Sequence, residues 1–208
     1  YRQYSDIDLA VAPKDYDRAI ELIRKAKPRG IAVDVHKGLR HLDTLSWEQI
    51  FSRSQTVILN DTEVYVPCPE DHLRIMCVHW LTDGGEYKHR LWDIYYAVAN
   101  RPDDFDWDKC LSVVSETRQE WVITCIGLAH RYLDLYIDDL PFADVAKKLP
   151  DWLANRLERE WNSDIRLKPL RIVYRTPRSL LQQLRKRIPP NPIYSTIDME
   201  GSFASGTR

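Results

Sequence analysis

A strict alternation of polar and apolar residues near the start of the chain constrains the fold more than any other feature. Residues 5–11 read SDIDLAV, and alternation with period two is typical of a β-strand with one solvent-facing side. Asp6 and Asp8 therefore share a face, about 7 Å apart along the strand. Ile7 and Leu9 are expected to face the core. Because adjacent carboxylates repel each other unless a cation lies between them, the pattern favours a metal site.

A second alternating segment supplies another carboxylate. Residues 31–36 read IAVDVH, and a predicted helix separates this strand from the first. If the two strands are neighbours, Asp34 can complete a cage of three carboxylates with Asp6 and Asp8. His36 is expected to point to the opposite face of its strand, as a packed or hydrogen-bonded side chain.

Carboxylate oxygens suit hard divalent ions such as Mg²⁺ or Mn²⁺, which keep positions open for phosphate oxygens. Two such ions can serve phosphoryl transfer, because one activates the attacking hydroxyl and the other neutralises the triphosphate. The alternative is purely structural. Polar residues are common on the wet face of an edge strand, and two aspartates separated by one residue are a weak motif.

The remaining periodicities predict an α+β fold, in which a small mixed sheet with flanking helices is followed by a helical domain. A helix is predicted from Pro13 to about Lys27, a shorter one follows the N-cap Ser46, and Asn60-Asp61 joins the strands of a hairpin. From residue 69 onward, apolar residues recur at helical spacing. The predicted domains are residues 1–67, 68–165 and 166–208, and the later helices are predicted to begin at residue 69 and to span 88–99, 107–116, 120–135, 142–147 and 151–161.

Composition excludes several classes of protein. Hydrophobic residues make up 44% of the 208 residues, with seven Trp and eleven Tyr, which excludes wholesale disorder. The net charge of -1 argues against a protein that coats nucleic acid with its whole surface. No apolar run approaches the roughly 18–20 residues of a membrane span. The four cysteines form no CxxC pair, so reduced core thiols and a cytoplasmic location are expected.

A basic segment near the end of the chain is the main local departure from charge balance. Residues Arg166–Arg187 contain eight Lys or Arg and no acid. One interpretation is a helix with a solvated basic face, and the other is a patch for RNA, phosphates or acidic lipid. A strand or coil is expected after Pro192.

The helical half offers weaker candidates. Arg90 and Asp93 are predicted to share a helix face at i,i+3, either as an ordinary ion pair or as part of a site where Lys88 or Arg90 holds a triphosphate. His72 and His79 lie two turns apart on one helix, but they lack a third ligand nearby in sequence and do not favour zinc. Aromatic residues of this half are expected in the core, although one could stack on a base: Trp80, Trp92, Tyr95 and Tyr96.

Residues 2–9 (RQYSDIDL), the following helix and residues 33–36 (VDVH) together resemble the DNA polymerase β-like nucleotidyltransferase superfamily. That superfamily has an apolar-Asp-x-Asp-apolar strand and a third acid on a later strand. The resemblance is closest to the uncharacterised bacterial nucleotidyltransferase family, in which His follows the third acid. In the helical half it extends to His79, Arg90-Leu91 and Asp93.

This resemblance implies roles for individual residues. Asp6, Asp8 and Asp34 would be catalytic and would bind the metal ions, and Asp34 would help to activate the acceptor hydroxyl. Ser5 would contact the nucleotide. In the helical half, the combination of Lys88 or Arg90 with an acid is similar to toxin-type nucleotidyltransferases.

The superfamily also carries a Gly-Ser turn that cradles the triphosphate, about ten residues before the paired aspartates. This chain begins five residues before Asp6, and its last residues, 201–208, read GSFASGTR. Three explanations are open: chance, a fragment that has lost its N-terminal part, or a permuted chain. Under permutation, Gly201 and Ser202 form the phosphate turn after an alternating segment at Thr196–Met199, and the two termini lie close together.

Taken together, these features predict an enzyme that moves a nucleoside monophosphate from an NTP to a hydroxyl acceptor and releases pyrophosphate, with Mg²⁺ or Mn²⁺ as cofactor. The acceptor could be a small molecule, a protein or RNA. The main alternative is a catalytically inactive relic that acts as a helical module for a protein partner or RNA. A third interpretation is RNA binding through Arg166–Arg187.

Overall fold

The computed structural model describes residues 6–26, 32–39 and 42–204. The chain divides into two compact units, Tyr1–Asp71 and His72–Arg208. The first is mixed and the second is helical within the described residues, as expected for an α+β fold followed by a helical region.

In the first unit, two parallel strands carry the alternating segments. β1 (Asp6–Val11) pairs with β2 (Ala32–Lys37), and the register places Asp8 beside Asp34. Between them the chain forms a 3-10 turn (Pro13–Asp15) and helix α1 (Tyr16–Ala26). The predicted strand–helix–strand order is confirmed, and neighbouring strands are what the proposed carboxylate cage requires.

The second half of this unit follows its local sequence signals. α2 (Trp47–Arg53) begins with a capping box, in which Ser46 Oγ accepts from the Gln49 amide and Gln49 Oε1 accepts from the Ser46 amide. β3 (Gln55–Leu59) and β4 (Thr62–Val66) form an antiparallel hairpin. Its turn, Asn60-Asp61, has two positive φ angles, as two-residue hairpin turns require. The predicted cap and hairpin are both confirmed.

The prediction that Ile7 and Leu9 face the core is wrong, since both side chains are exposed. The physical reason is the small size of the sheet: in the described residues β1 pairs only with β2, and two strands cannot enclose a core. Helix α1, described over its whole length, has no buried residue. Among the described residues of this unit, the buried apolar side chains are those of Val35, Ile50 and Cys68.

Helix α3 (Pro69–Thr82) begins in the first unit and continues into the second. At its start, the buried Asp71 carboxylate forms an ion pair with Arg53 at 3.0 Å, which ties α2 to the first turn of α3. The helices of the second unit that follow are α4 (Leu91–Ala99), α5 (Trp107–Leu111), α6 (Glu116–Leu133), α7 (Ala143–Ala146), α8 (Asp151–Trp161), α9 (Leu170–Val173), α10 (Pro177–Arg187) and α11 (Pro192–Asp198).

Helix α6 is the centre of the second unit. Trp121, Cys125 and Ile126 on this helix have no exposed surface, and α4, α5 and α7 contact it. A Cβ added to Gly127 would lie 2.0 Å from the Ala146 carbonyl oxygen, so the absence of a side chain there lets α7 approach closely. All four cysteines of the chain are buried and free.

Some sequence predictions for the second unit differ from the structure. The helix predicted over 107–116 ends at Leu111, because Ser115 caps the next helix by accepting from the Arg118 amide. The alternating segment Thr196–Met199 is mostly helical, as part of α11, because Asn191 provides the N-cap and Pro192 the first helical position. Trp80 is buried as predicted.

Two of the aromatic residues expected in the core are exposed instead. Trp92 and Tyr96 lie on the solvent side of α4, where their rings stack with centroids 5.7 Å apart.

Within the described residues, no helix combines the length and the apolar character that crossing a membrane requires.

Candidate functional site

The parallel register of β1 and β2 brings two acids and a histidine together on one strand face. Asp8 and Asp34 are direct neighbours across the strands. His36 Nε2 lies 2.8 Å from Asp8 Oδ1 and 3.6 Å from Asp34 Oδ2. The imidazole therefore hydrogen-bonds the Asp8 carboxylate and lies close to that of Asp34.

The prediction that His36 points away from Asp34 is wrong. The two residues are two positions apart on β2, and side chains at i and i+2 of a strand point to the same face. The period-two rule that placed Asp6 with Asp8 also places His36 with Asp34. The alternation of β2 thus already contains the signal that places His36 in the site.

The three side chains differ in exposure, which bears on their roles. The side chains of Asp8 and Asp34 are 63% and 61% exposed, whereas that of His36 is 21% exposed. The carboxylates can thus be reached by a ligand from solvent, and the imidazole is held more tightly at the base of the cluster. A hydrogen bond to Asp8 also fixes the orientation of the ring.

The cluster has the donor set of a metal site. Asp8, Asp34 and His36 each offer one ligand atom, and these atoms all lie within 4.8 Å of one another. Carboxylate oxygens suit Mg²⁺ and Mn²⁺, and imidazole nitrogen suits transition metals. The exposed carboxylates leave room for water or phosphate oxygens around an ion. The residues present therefore fit a divalent cation.

A family model for uncharacterised nucleotidyltransferases matches residues 1–134, which is more than half of the chain. The chain belongs to this nucleotidyltransferase family. The match includes β1, β2 and their acidic cluster and extends through α6, so the family resemblance seen in the sequence is confirmed. No curated protein and no solved structure gives a significant match to the chain.

The remaining residues predicted to act with the cluster are placed as follows. The predictions for Ser5 and for the side chain of Asp6 lie outside what the structure describes, although the backbone of Asp6 begins β1. Lys88, Arg90, Gly201 and Ser202 all lie in the second unit. Their predicted part in nucleotide binding stays a prediction.

Lys88 and Arg90 lie in a 3-10 turn (Lys88–Arg90) that precedes α4, instead of on one α-helix with Asp93. The Lys88 ammonium is 5.3 Å from the ring centroid of Trp161 and 5.6 Å from that of Tyr132. Lys88 and Trp161 both line a groove of about 540 Å³. The Lys88 ammonium is thus held over aromatic rings at the side of this groove.

Arg90 is engaged within the protein. Its guanidinium forms an ion pair with Asp83 and lies 5.0 Å from the centroid of the Tyr87 ring. An ordinary ion pair was one of the two interpretations of this residue, with Asp93 as the expected partner. The structure gives Arg90 an ion pair with Asp83, seven residues earlier in the chain.

Gly201 and Ser202 lie in a segment that is docked on the helices of the second unit. The Gly201 amide donates to the Thr196 carbonyl at 2.8 Å, and Trp121 Nε1 donates to the Gly201 carbonyl at 2.9 Å. Ser202 Oγ accepts from the Ala204 amide. A phosphate bound here through the Gly201 amide would have to replace a hydrogen bond that closes the end of α11.

Proposed function

We propose that the protein is a divalent-metal-dependent nucleotidyltransferase, which moves a nucleoside monophosphate from an NTP to a hydroxyl acceptor and releases pyrophosphate. The observation that carries this proposal is the convergence of Asp8, Asp34 and His36 on the exposed face of two parallel strands, in a chain of a nucleotidyltransferase family. The four buried free thiols fit a cytoplasmic location, which we include in the proposal.

Asp8 and Asp34, with Asp6, would hold Mg²⁺ or Mn²⁺. A bound divalent ion supplies charge neutralisation for the triphosphate and lowers the pKa of the acceptor hydroxyl. The hydrogen bond between His36 and Asp8 holds the Asp8 carboxylate in one orientation before any ligand arrives, which is the usual benefit of a preorganised site.

In the transfer step, the acceptor oxygen forms a bond to the α-phosphorus while the bond from that phosphorus to the bridging oxygen breaks. The electron pair of the broken bond leaves with pyrophosphate. The acceptor proton passes to the Asp34 carboxylate and then to water. Residues predicted from the sequence to contact the nucleotide stay candidates, each to be tested by substitution within its own unit: Ser5 in the first unit, and Lys88, Arg90, Gly201 and Ser202 in the second.

The test is metal-dependent nucleotide binding, followed by chemistry. Melting of the full chain is measured with each NTP, with and without Mg²⁺ or Mn²⁺, for the wild type, Asp8→Asn and the matched control Asp17→Asn on the exposed surface of α1. A ligand at about 100 times its dissociation constant stabilises by about 2.7 kcal/mol, which raises the melting temperature by a few degrees. We expect this increase in the wild type and Asp17→Asn, and none in Asp8→Asn.

The nucleotide that binds is then incubated with mixed small-molecule, protein and RNA acceptors, and pyrophosphate release is measured. Equal stabilisation of Asp8→Asn and the wild type would contradict the proposed site. No stabilisation of the wild type by any nucleotide with either metal would favour the inactive relic.

A further inference from the structure

Helix α10 (Pro177–Arg187) is attached to the second unit by its polar side. The buried Gln183 side chain accepts from the Lys168 amide at 2.8 Å and donates to the Arg166 carbonyl at 2.9 Å. The Lys186 ammonium forms an ion pair with the buried Glu160. Arg187 donates to the Lys168 carbonyl at 2.7 Å. Hydrogen bonds and an ion pair therefore hold the inner face of α10 in place.

The apolar side of the same helix faces solvent. Leu181, Leu184 and Ile188 are 49%, 38% and 72% exposed. Leu181 and Leu184 lie one turn apart on the helix, and Ile188 follows in extended backbone directly after the last helical residue. The short helix before it also exposes Ile172. An amphipathic helix in a globular protein ordinarily turns such a stripe toward the core. In α10 the polar side packs on the unit and the apolar side faces solvent, where it can contact another molecule.

Positive charge borders this stripe. Arg178 and Arg185 are exposed. They lie about one helical turn before and after Leu181, and so border the leucines on the helix surface. The preceding residues add exposed Arg171 and Arg175, and no acid occurs between Arg166 and Arg187. The surface formed by α9 and α10 is therefore apolar along a stripe and cationic beside it.

We infer that this surface, formed by Leu181, Leu184, Ile188 and the bordering arginines, docks on the anionic headgroups of a lipid bilayer. A helix with basic residues beside aliphatic ones lies in the plane of the membrane interface, where its apolar side chains enter the boundary with the acyl chains. Cytoplasmic leaflets carry the negative surface potential that attracts such segments. The inference is independent of the proposed nucleotidyl transfer.

The side chains favour lipid over single-stranded RNA as the occupant. RNA-binding surfaces present aromatic rings on which bases stack, whereas Tyr174 is the sole aromatic residue between Arg166 and Arg187. Tyr174 is exposed, but it already contacts Arg175, whose guanidinium lies 5.3 Å from the ring centroid and donates to the Tyr174 hydroxyl. Base stacking would not use the exposed aliphatic stripe.

The experiment is sedimentation of the full chain with vesicles of phosphatidylcholine alone and with vesicles that also contain phosphatidylserine, at low and high salt. One variant, Leu181→Gln with Leu184→Gln, removes the apolar stripe, and another, Arg178→Gln with Arg185→Gln, removes the charge. Because all four side chains are exposed, we expect both variants to fold, which their thermal melting checks. The matched controls are Val145→Gln on α7 and Arg159→Gln on α8, which replace exposed residues elsewhere in the unit.

We expect the wild type and both controls to bind the phosphatidylserine vesicles, with binding that weakens in salt. Each arginine near an anionic surface contributes about fivefold in affinity, so the double arginine variant should lose roughly 25-fold, and the double leucine variant at least tenfold. Absence of wild-type binding to anionic vesicles would overturn the inference. So would full binding by the leucine variant, or wild-type binding to single-stranded RNA without binding to vesicles.

Discussion

The two units of this chain differ in what they contribute: the first carries the acidic cluster, and the second has the larger hydrophobic core. In the part of unit Tyr1–Asp71 that the structure describes, few apolar side chains are buried and Ile7 and Leu9 are exposed, whereas unit His72–Arg208 builds an extensive core around α6. The candidate catalytic groups thus lie on strands that few buried contacts support. Because exposed polar side chains contribute little to folding, Asp8 and Asp34 can be changed with little loss of stability, and the core residues of the second unit cannot.

The largest expected effect is on activity, and it comes from His36. His36→Ala should lower nucleotidyl transfer by up to about 100-fold, the usual cost of losing a side chain that orients a metal ligand, while the unfolding free energy changes by less than about 1 kcal/mol. Lys37→Ala is the control, since Lys37 is exposed on the neighbouring position of β2, which points to the other face. Initial rates and chemical denaturation of the three proteins measure both quantities. A large loss of stability in His36→Ala would contradict the idea that the cluster serves chemistry and contributes little to folding.

The second expected effect is on stability, in the other unit. Leu157→Ala on α8 removes a side chain with no exposed surface and should lower the unfolding free energy of the second unit by about 2–5 kcal/mol. The matched change Leu22→Ala, on the exposed side of α1, should cost less than about 1 kcal/mol. Denaturant melts of both variants test the contrast. Similar costs for the two leucines would contradict the difference in core density.

A smaller effect is expected from the capping box of α2. Ser46→Ala leaves the Gln49 amide without its side-chain acceptor and should destabilise the first unit by about 1 kcal/mol. Ser52→Ala is the control, because the Ser52 hydroxyl donates to the Gln49 carbonyl within the helix and caps nothing. If both serine variants melt alike, the cap does not limit the stability of this unit.

The smallest effect concerns pH and a buried acid in the second unit. Burial raises the pKa of the Glu86 carboxyl above its ordinary value, an effect that nearby Lys186 partly opposes. A raised pKa in the folded state means that Glu86 favours folding fully below the pKa of an unfolded Glu, and that this contribution is lost as pH rises through the folded-state pKa.

Glu86→Gln should therefore gain stability relative to the wild type as pH increases from about 4 to about 7. Thermal melting of the two proteins across this range gives the difference directly. A difference that is constant with pH would show that Glu86 titrates alike in the folded and unfolded chain.

Much of the local structure could be predicted because its signals are short in range. The strand at Asp6–Val11, the cap at Ser46 and the Asn60-Asp61 turn each depend on signals within a few residues, and the structure contains all three. The prediction at Thr196–Met199 is wrong because two short-range signals compete there. The helix start signal of Asn191 and Pro192 is stronger than the alternation that follows it. The sequence predicts Asp8 and Asp34 as residues of the site, and the same alternation also places His36 on their face of the sheet.

The sequence by itself determined which residues alternate, where helices begin, and the family to which residues 1–134 belong. Only the tertiary structure decided that Asp8 and Asp34 are direct neighbours, since register depends on strand pairing across the chain. It also decided that Ile7, Trp92 and Leu181 are exposed, because periodicity identifies the apolar side of an element without identifying what covers it. In α10, hydrogen bonds from Gln183 and Arg187 and the Lys186 ion pair fix the polar side inward, and so turn the apolar side toward solvent.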